Sequence, residues 1–240
     1  MEKNEITLFC VNDGKNHKIE SGQDLKALSD RFYSSVTDQK TGQKFDVLAA
    51  LVDNKLKELS FKPANLHQVE FIGYNHPDGR RSYVRSLCFV LQNAVRELYP
   101  DKVLVIDHSL PSGLYCEIVE KAKNEDGRNK AYFVTDDEID RIREKMRDIV
   151  AKDLPFSKVK MFSEEAEALF IANNQPQKAE LQKSLGTFSC SVYYLDGKAD
   201  TFHGPLIPST GYLKVFDISG MGDGFCLQSP MMTDFSKVMP

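Results

Sequence analysis

Asn75-His76-Pro77-Asp78-Gly79 gathers turn formers into one short run, and an amphipathic stretch follows it directly. From Arg81 to Leu98, the residues Val84, Leu87, Cys88, Leu91, Val95 and Leu98 recur at helical spacing, and Pro100 stands just beyond. Such a stripe describes a helix with one face on a core, stopped where a proline removes a backbone donor. Turn formers in series favour neither helix nor strand. The sequence therefore predicts a division before the helix, into residues 1–74 and 75–240.

The first part reads as a small mixed module. Ile6 to Val11 is rich in strand formers, Asn12-Asp13-Gly14 is a turn signal, and His17 to Glu20 returns as a second strand. Ser21-Gly22-Gln23-Asp24 offers a helix start with an acceptor at Ser21 and an acid three residues on. Leu25, Leu28 and Phe32 follow at helical spacing, and Ser34 to Lys44 is polar and reads as a loop. Val47 to Val52 and Val69 to Ile72 are short apolar runs, the first ended by Asp53-Asn54-Lys55. Two strands, a helix and further strands predict a ubiquitin-like β-grasp.

In the second part Val103 to Ile106 reads as a buried strand, and Asn124 to Lys130 as a charged loop. Thr135-Asp136-Asp137-Glu138 is a capping box, with Ile139, Ile142, Met146 and Ile149 as the core face of its helix. Ser163-Glu164-Glu165-Ala166 opens another helix with acids where the dipole favours them. Ser191 to Leu195 with Asp196-Gly197 reads as a strand and hairpin turn, while the tail from Gly220 shows no clear pattern. The fold class is α+β.

Several function classes drop out. Lys and Arg total 31 against 35 Asp and Glu, a formal charge of -4, which argues against a dominantly electrostatic nucleic-acid binder. No apolar run approaches the roughly 20 residues of a membrane span, and Met1-Glu2-Lys3-Asn4-Glu5 lacks the start of a signal peptide, so the cytoplasm is expected. Neither a Gly-x-x-x-x-Gly-Lys-Ser/Thr phosphate loop, a Gly-x-Gly-x-x-Gly run nor a Gly-x-Ser-x-Gly elbow is present. Gly220-Met221-Gly222-Asp223-Gly224 is followed by no good helix and reads as a flexible turn. The scattered Cys10, Cys88, Cys116, Cys190 and Cys226 read as reduced apolar fillers, and the five histidines never take metal-ligand spacing, so no metal is expected.

Two segments resist a purely structural account. Asp107 to Tyr115 and Asp200 to Gly211 each combine a carboxylate and an imidazole with Pro/Gly turns, as binding loops do. They make His108, Tyr115, Asp200, His203 and Gly204 candidate pocket residues.

At these segments the chain resembles the N-terminal region of threonyl-tRNA synthetases, a TGS domain followed by an editing-type domain. Val47 to Ile72 looks like the closing half of a TGS module, and Val105 to Glu117 stands where the family has Ile-Gly-Pro-x-Ile-x-x-Gly-Phe-Tyr-Tyr-Asp. Thr135 to Met146 matches the family's capped helix, Glu165 to Phe170 its Glu-Ala-x-x-x-Phe, and Asp200 to Thr210 its Asp-x-Cys-x-Gly-Pro-His-x-Pro-x-Thr. The resemblance implies a TGS-like β-grasp at 1–74, then an editing-like domain at 75–240 with helices packed on an antiparallel sheet. The family's His-x-x-x-His falls here on Arg85 and Phe89, and its later Cys and His fall on Phe202 and Leu206. Phenylalanine and leucine neither bind a metal nor transfer a proton. The family pocket positions Asp200, Lys178 and Tyr115 are kept.

With Leu195-Asp196-Gly197 and Gly204 to Leu213, the pattern looks most like the N-terminal extension of bacterial multidomain uridine kinases, or nucleoside kinases. That resemblance implies a fragment whose parent carries a C-terminal P-loop kinase domain, using ATP and magnesium, with no cofactor in this chain. The leading expectation is a non-catalytic regulatory module that binds a nucleotide, an amino acid or RNA, and no membrane. The alternatives are a free-standing aminoacyl-tRNA deacylase, with water activated by Asp200, His108 or His203, and a pure assembly domain.

Overall fold

A computed structural model describes residues 5–123, 129–173, 175–232 and 234–240, and the chain is α+β. The opening Met1–Asn4 and residues 124–128 of the charged loop expected at Asn124 to Lys130 lie outside the described residues.

Strands β1 (Glu5–Cys10) and β2 (Lys15–Glu20) form an antiparallel hairpin running in register from Glu5↔Glu20 to Cys10↔Lys15. Helix α1 (Leu25–Phe32) follows. Its cap is Asp24 rather than the expected Ser21, because the residue just before the helix alone can reach the Ala27 amide, here at 2.9 Å. Leu25 and Leu28 are buried, whereas Phe32 is exposed. Inside the segment read as a loop, β3 (Val36–Thr37) pairs with β4 (Lys44–Phe45), and the Asp38 carboxylate accepts the Lys40 and Thr41 amides at 2.9 Å. Strands β5 (Ala49–Val52) and β6 (Lys55–Lys57) are joined by Asp53 and Asn54, both at positive φ (48° and 60°), as a two-residue hairpin turn demands. With β7 (Gln68–Ile72) the sheet order is β2-β1-β7-β5-β6, and β7 is parallel to β1 and antiparallel to β5.

Helix α2 (Pro77–Leu98) corrects the expected linker. Pro77, Asp78 and Gly79 form its first turn, where a missing amide hydrogen is harmless and proline's fixed φ is already helical. Gly79 is there for packing: a Cβ would stand 1.9 Å from the Gly73 carbonyl oxygen. Burial extends beyond the expected stripe to Tyr83, Phe89, Val90 and Ala94, so α2 is a core helix.

Strands β8 (Lys102–Leu110) and β9 (Gly113–Lys123) make one long hairpin. Val103 to Ile106 is therefore not a buried strand: among the described residues β8 pairs with β9 alone, and Ile106 is 39% exposed. The segment Asp107 to Tyr115 is hairpin too, its turn being Pro111-Ser112. After β10 (Asn129–Tyr132) comes α3 (Asp136–Ala151), opened by the expected Thr135–Glu138 capping box and burying Ile139, Ile142, Met146 and Ile149.

Strand β11 (Ser157–Phe162), helices α4 (Ser163–Ala172) and α5 (Pro176–Leu185), and strands β12 (Ser189–Leu195) and β13 (Lys198–Asp200) form a layered element. The sheet order is β11-β12-β13, and Ala166, Phe170 and Ala179 of the helices pack with Val192 and Ala199 of the sheet. Asp196 and Gly197, at φ 50° and 74°, make the expected hairpin turn.

The tail without a clear pattern contributes to a strand pair. Strands β14 (Asp217–Met221) and β15 (Gly224–Gln228) pair around Gly222-Asp223, giving a sheet β10-β9-β15-β14 with β8 on β9. Gly220 to Gly224 is thus a tight hairpin rather than a flexible turn. Its last glycine is needed because a Cβ there would meet the Cys116 carbonyl oxygen at 2.2 Å.

Compactness divides the chain into one unit of residues 1–86 and 155–212 and another of 87–154 and 213–240. The boundary falls inside α2, and the first unit draws on both sides of the cut expected at residue 74. Among the described residues no helix is long and apolar enough to cross a membrane.

Candidate functional site

The first unit holds the segment that leaves β13 and runs through 201–209 beside the start of α2. Serine and arginine on successive positions of the helix tie it down. Arg85 donates from Nε and from an Nη to the Pro205 carbonyl, at 3.1 and 2.9 Å, and to the Ser82 hydroxyl at 3.0 Å. The Ser86 hydroxyl accepts the Ile207 amide at 3.0 Å. Gly204, at φ +116°, lets the backbone pass under the guanidinium: a Cβ would lie 3.1 Å from the Arg85 Cζ. Arg85 is thus a clamp on the loop. Phe89 and Leu206 are buried apolar side chains, and Phe202 meets Tyr193 edge to face at 6.0 Å between centroids. Phenylalanine and leucine side chains neither transfer a proton nor hold a metal, and the Arg85 guanidinium is committed to the loop. Among the described residues no group of three or more His, Cys, Asp or Glu is placed to hold a metal ion.

Asp200 and Lys178 do come together. Asp200, at the end of β13, is fully buried and accepts from the Lys178 ammonium on the first turn of α5 and from the Thr201 amide at 2.7 Å. His203 is exposed on the loop beyond. In the second unit, His108 and Tyr115 are cross-strand partners on β8 and β9, their rings 5.2 Å apart. His108 is exposed and bonds to Asp107 at 2.8 Å. Burial, and then a hydrogen bond to Glu117, raise the Tyr115 hydroxyl above its usual range. Each unit thus holds one pair of candidate residues.

A cluster with no local signature in the sequence joins residues far apart in the chain. Tyr193 of β12 donates to Glu58, just after β6, and its oxygen lies 3.2 Å from the Gly204 carbonyl. Lys158 of β11 reaches the same Glu58 carboxylate at 3.1 Å. Burial, followed by the hydrogen bond and charge of Glu58, pushes the Tyr193 hydroxyl well above its usual range. The cysteines behave as fillers: four are buried, and burial drives the Cys116 thiol up, which keeps it protonated and inert.

No protein-family model matches the chain. Curated relatives do. A threonine–tRNA ligase of Rubrobacter xylanophilus is 27% identical over 224 residues, 92% of this chain and 32% of that protein. One from Clostridium kluyveri is 25% identical over 90% of this chain and 32% of its own length. One from Desulforamulus reducens is 29% identical over 75% of this chain and 27% of its own length. The chain is similar to a region of threonine–tRNA ligases. It spans about a third, 32%, of the length of the first two of these relatives. These matches support the synthetase-like half of the expectation and lend no support to a uridine kinase parent.

Proposed function

We propose that this chain is a threonyl-tRNA synthetase-like binding module of the cytoplasm that holds a nucleotide, an amino acid or RNA without hydrolysing it. The order β2-β1-β7-β5-β6, with β7 parallel to β1, supports a TGS-type β-grasp at residues 1–74. The observation that carries the non-hydrolytic reading is the Arg85 clamp. Where the resembled family has a polar residue for chemistry, this chain has a guanidinium committed to the Pro205 carbonyl, with Phe89, Phe202 and Leu206 at the other positions. The chain incubated with mischarged threonine tRNA should release amino acid no faster than buffer alone. Release above that rate, proportional to protein concentration, would overturn the reading.

The similarity to threonine–tRNA ligases over most of the chain favours a second reading, a deacylase, and the same assay decides it. Its water would need Asp200, His108 or His203. Asp200 is buried against Lys178, and the two histidines are exposed. A kinase context, with ATP and magnesium, remains a proposal resting on the sequence pattern. It requires a Gly-x-x-x-x-Gly-Lys-Ser/Thr motif encoded after residue 240.

A further inference from the structure

Within the unit of residues 1–86 and 155–212, a cleft of about 610 Å³ opens between the loop after β6, strands β11 and β12, and the segment 202–205. Lys57, Lys62 and Lys158 line it against a single carboxylate, Glu58. That carboxylate is already engaged by Lys158 and by the Tyr193 hydroxyl. Lys57 and Lys62 have no carboxylate at ion-pair distance among the described residues. A net positive cleft thus sits in a chain whose formal charge is -4. Ring surface lies beside the charge. Phe61 and Phe202 are both half-buried in the wall; Phe61 already carries the Lys57 ammonium at 5.0 Å and the stacked His67 ring at 6.4 Å, which leaves Phe202 as the ring for a base.

Cations without competing carboxylates are what a phosphate needs, and aromatic side chains are what a planar base needs. A volume within about 300–1,000 Å³ is the usual size for a small-molecule site. A free amino acid would bring its ammonium toward lysines and offer no ring in most cases. Glu58 keeps lone pairs that a sugar hydroxyl can donate to. We infer that this cleft binds a nucleoside monophosphate, with the phosphate on Lys57 and Lys62 and the base against Phe202. The same group could arrive free or at the end of an RNA.

Titration calorimetry of the 240-residue chain at low salt tests this with adenosine monophosphate, adenosine, inorganic phosphate and a five-nucleotide RNA. Adenosine monophosphate should bind, and adenosine and phosphate alone should each bind at least about tenfold more weakly. The double variant K57Q/K62Q should weaken binding by about tenfold or more, while its circular dichroism stays that of the parent. F202L should weaken it severalfold, less than the lysine pair does. RNA binding no tighter than the mononucleotide assigns a free nucleotide. RNA binding about tenfold tighter, with the same dependence on Lys57 and Lys62, assigns an RNA-borne one. Absence of binding by both ligands at about 5 mM, or binding unchanged in K57Q/K62Q, overturns the inference. Deacylation of tRNA by the chain would leave it standing: of the four replaced positions the cleft uses Phe202 alone, and binding through Lys57 and Lys62 is read without any hydrolysis.

Discussion

Replacing Lys178 by methionine should cost more stability than replacing Asp200 by asparagine, although both break one ion pair. The Asp200 side chain is 1% exposed and that of Lys178 is 26% exposed. Without Lys178 the carboxylate stays buried beside β13 and loses its cation, a change that costs about 3–5 kcal/mol in buried pairs. The Thr201 amide still donates to Asp200 at 2.7 Å, and Lys178 is a quarter exposed to begin with, so the lower end applies, about 3 kcal/mol. Asp200→Asn keeps the volume and the acceptor for Thr201, and the lysine, a quarter exposed, stays hydrated, for about 1–2 kcal/mol. Urea unfolding followed by circular dichroism reads the difference. With a denaturant slope of about 1–3 kcal/mol per molar, K178M should lower the midpoint by about 1 M or more and D200N by roughly half that. Hydrogen exchange at the β12 and β13 amides localises the loss. Equal midpoint shifts, or a larger one for D200N, would refute the assignment of Asp200 as the buried partner.

Other consequences are as direct. Gly224→Ala places a methyl 2.2 Å from the Cys116 carbonyl oxygen and should cost at least about 3 kcal/mol by forcing β9 and β15 apart. Gly14→Ala, in open space at φ +67°, should cost only about 1 kcal/mol, and equal melting losses would refute the difference. Burial works to raise the Glu138 pKa, but donors from the Thr135 amide, the Tyr132 hydroxyl and the Thr135 hydroxyl outweigh it and hold the carboxyl below its ordinary 4.5. Its contribution is complete above that value and is lost as pH falls through the lower folded value. Melting temperature should therefore drop more steeply between about pH 6 and 3 in the parent than in E138Q. The hydrogen bond to Glu138, then burial, lift Tyr132 from 10.0 to about 12. Its contribution holds below pH 10 and fades toward 12, and the E138Q change should return its absorbance titration toward 10. Arg85→Ala removes both bonds to the Pro205 carbonyl, should cost about 1–3 kcal/mol and should speed exchange of the Ile207 amide; an unchanged rate there counts against the clamp.

The elements legible in the sequence are those whose cause lies within a few residues. The Thr135–Glu138 box, the Asp53-Asn54 and Asp196-Gly197 turns and the Ile139 to Ile149 stripe each need only neighbours along the chain. The Asp200–Lys178 contact joins two positions that the family resemblance names as pocket positions, and no local chemistry pointed to it. Local reading misjudged Pro77-Asp78-Gly79, because a proline and a glycine that break most helices are suited to a helix start pressed on Gly73. It misjudged Val103 to Ile106 because an apolar run does not say whether its strand gains a second neighbour.

Sequence alone determined the class of the fold, the order of its main elements and the replacement of the family's site residues at positions 85, 89, 202 and 206 as the family resemblance aligns them. Only the tertiary structure decided what the replacements do. That Arg85 would clamp Pro205, that glycines 113 and 224 would mark the close approach of β9 and β15, and that Glu58, Lys158 and Tyr193 would meet beside Lys57 and Lys62 depend on pairings between distant segments. Those pairings are set by the joint packing of whole sheets and helices. A residue's neighbours in sequence carry its conformational preference, while the charges and carbonyls it finally meets are chosen by every other element that must share the same core.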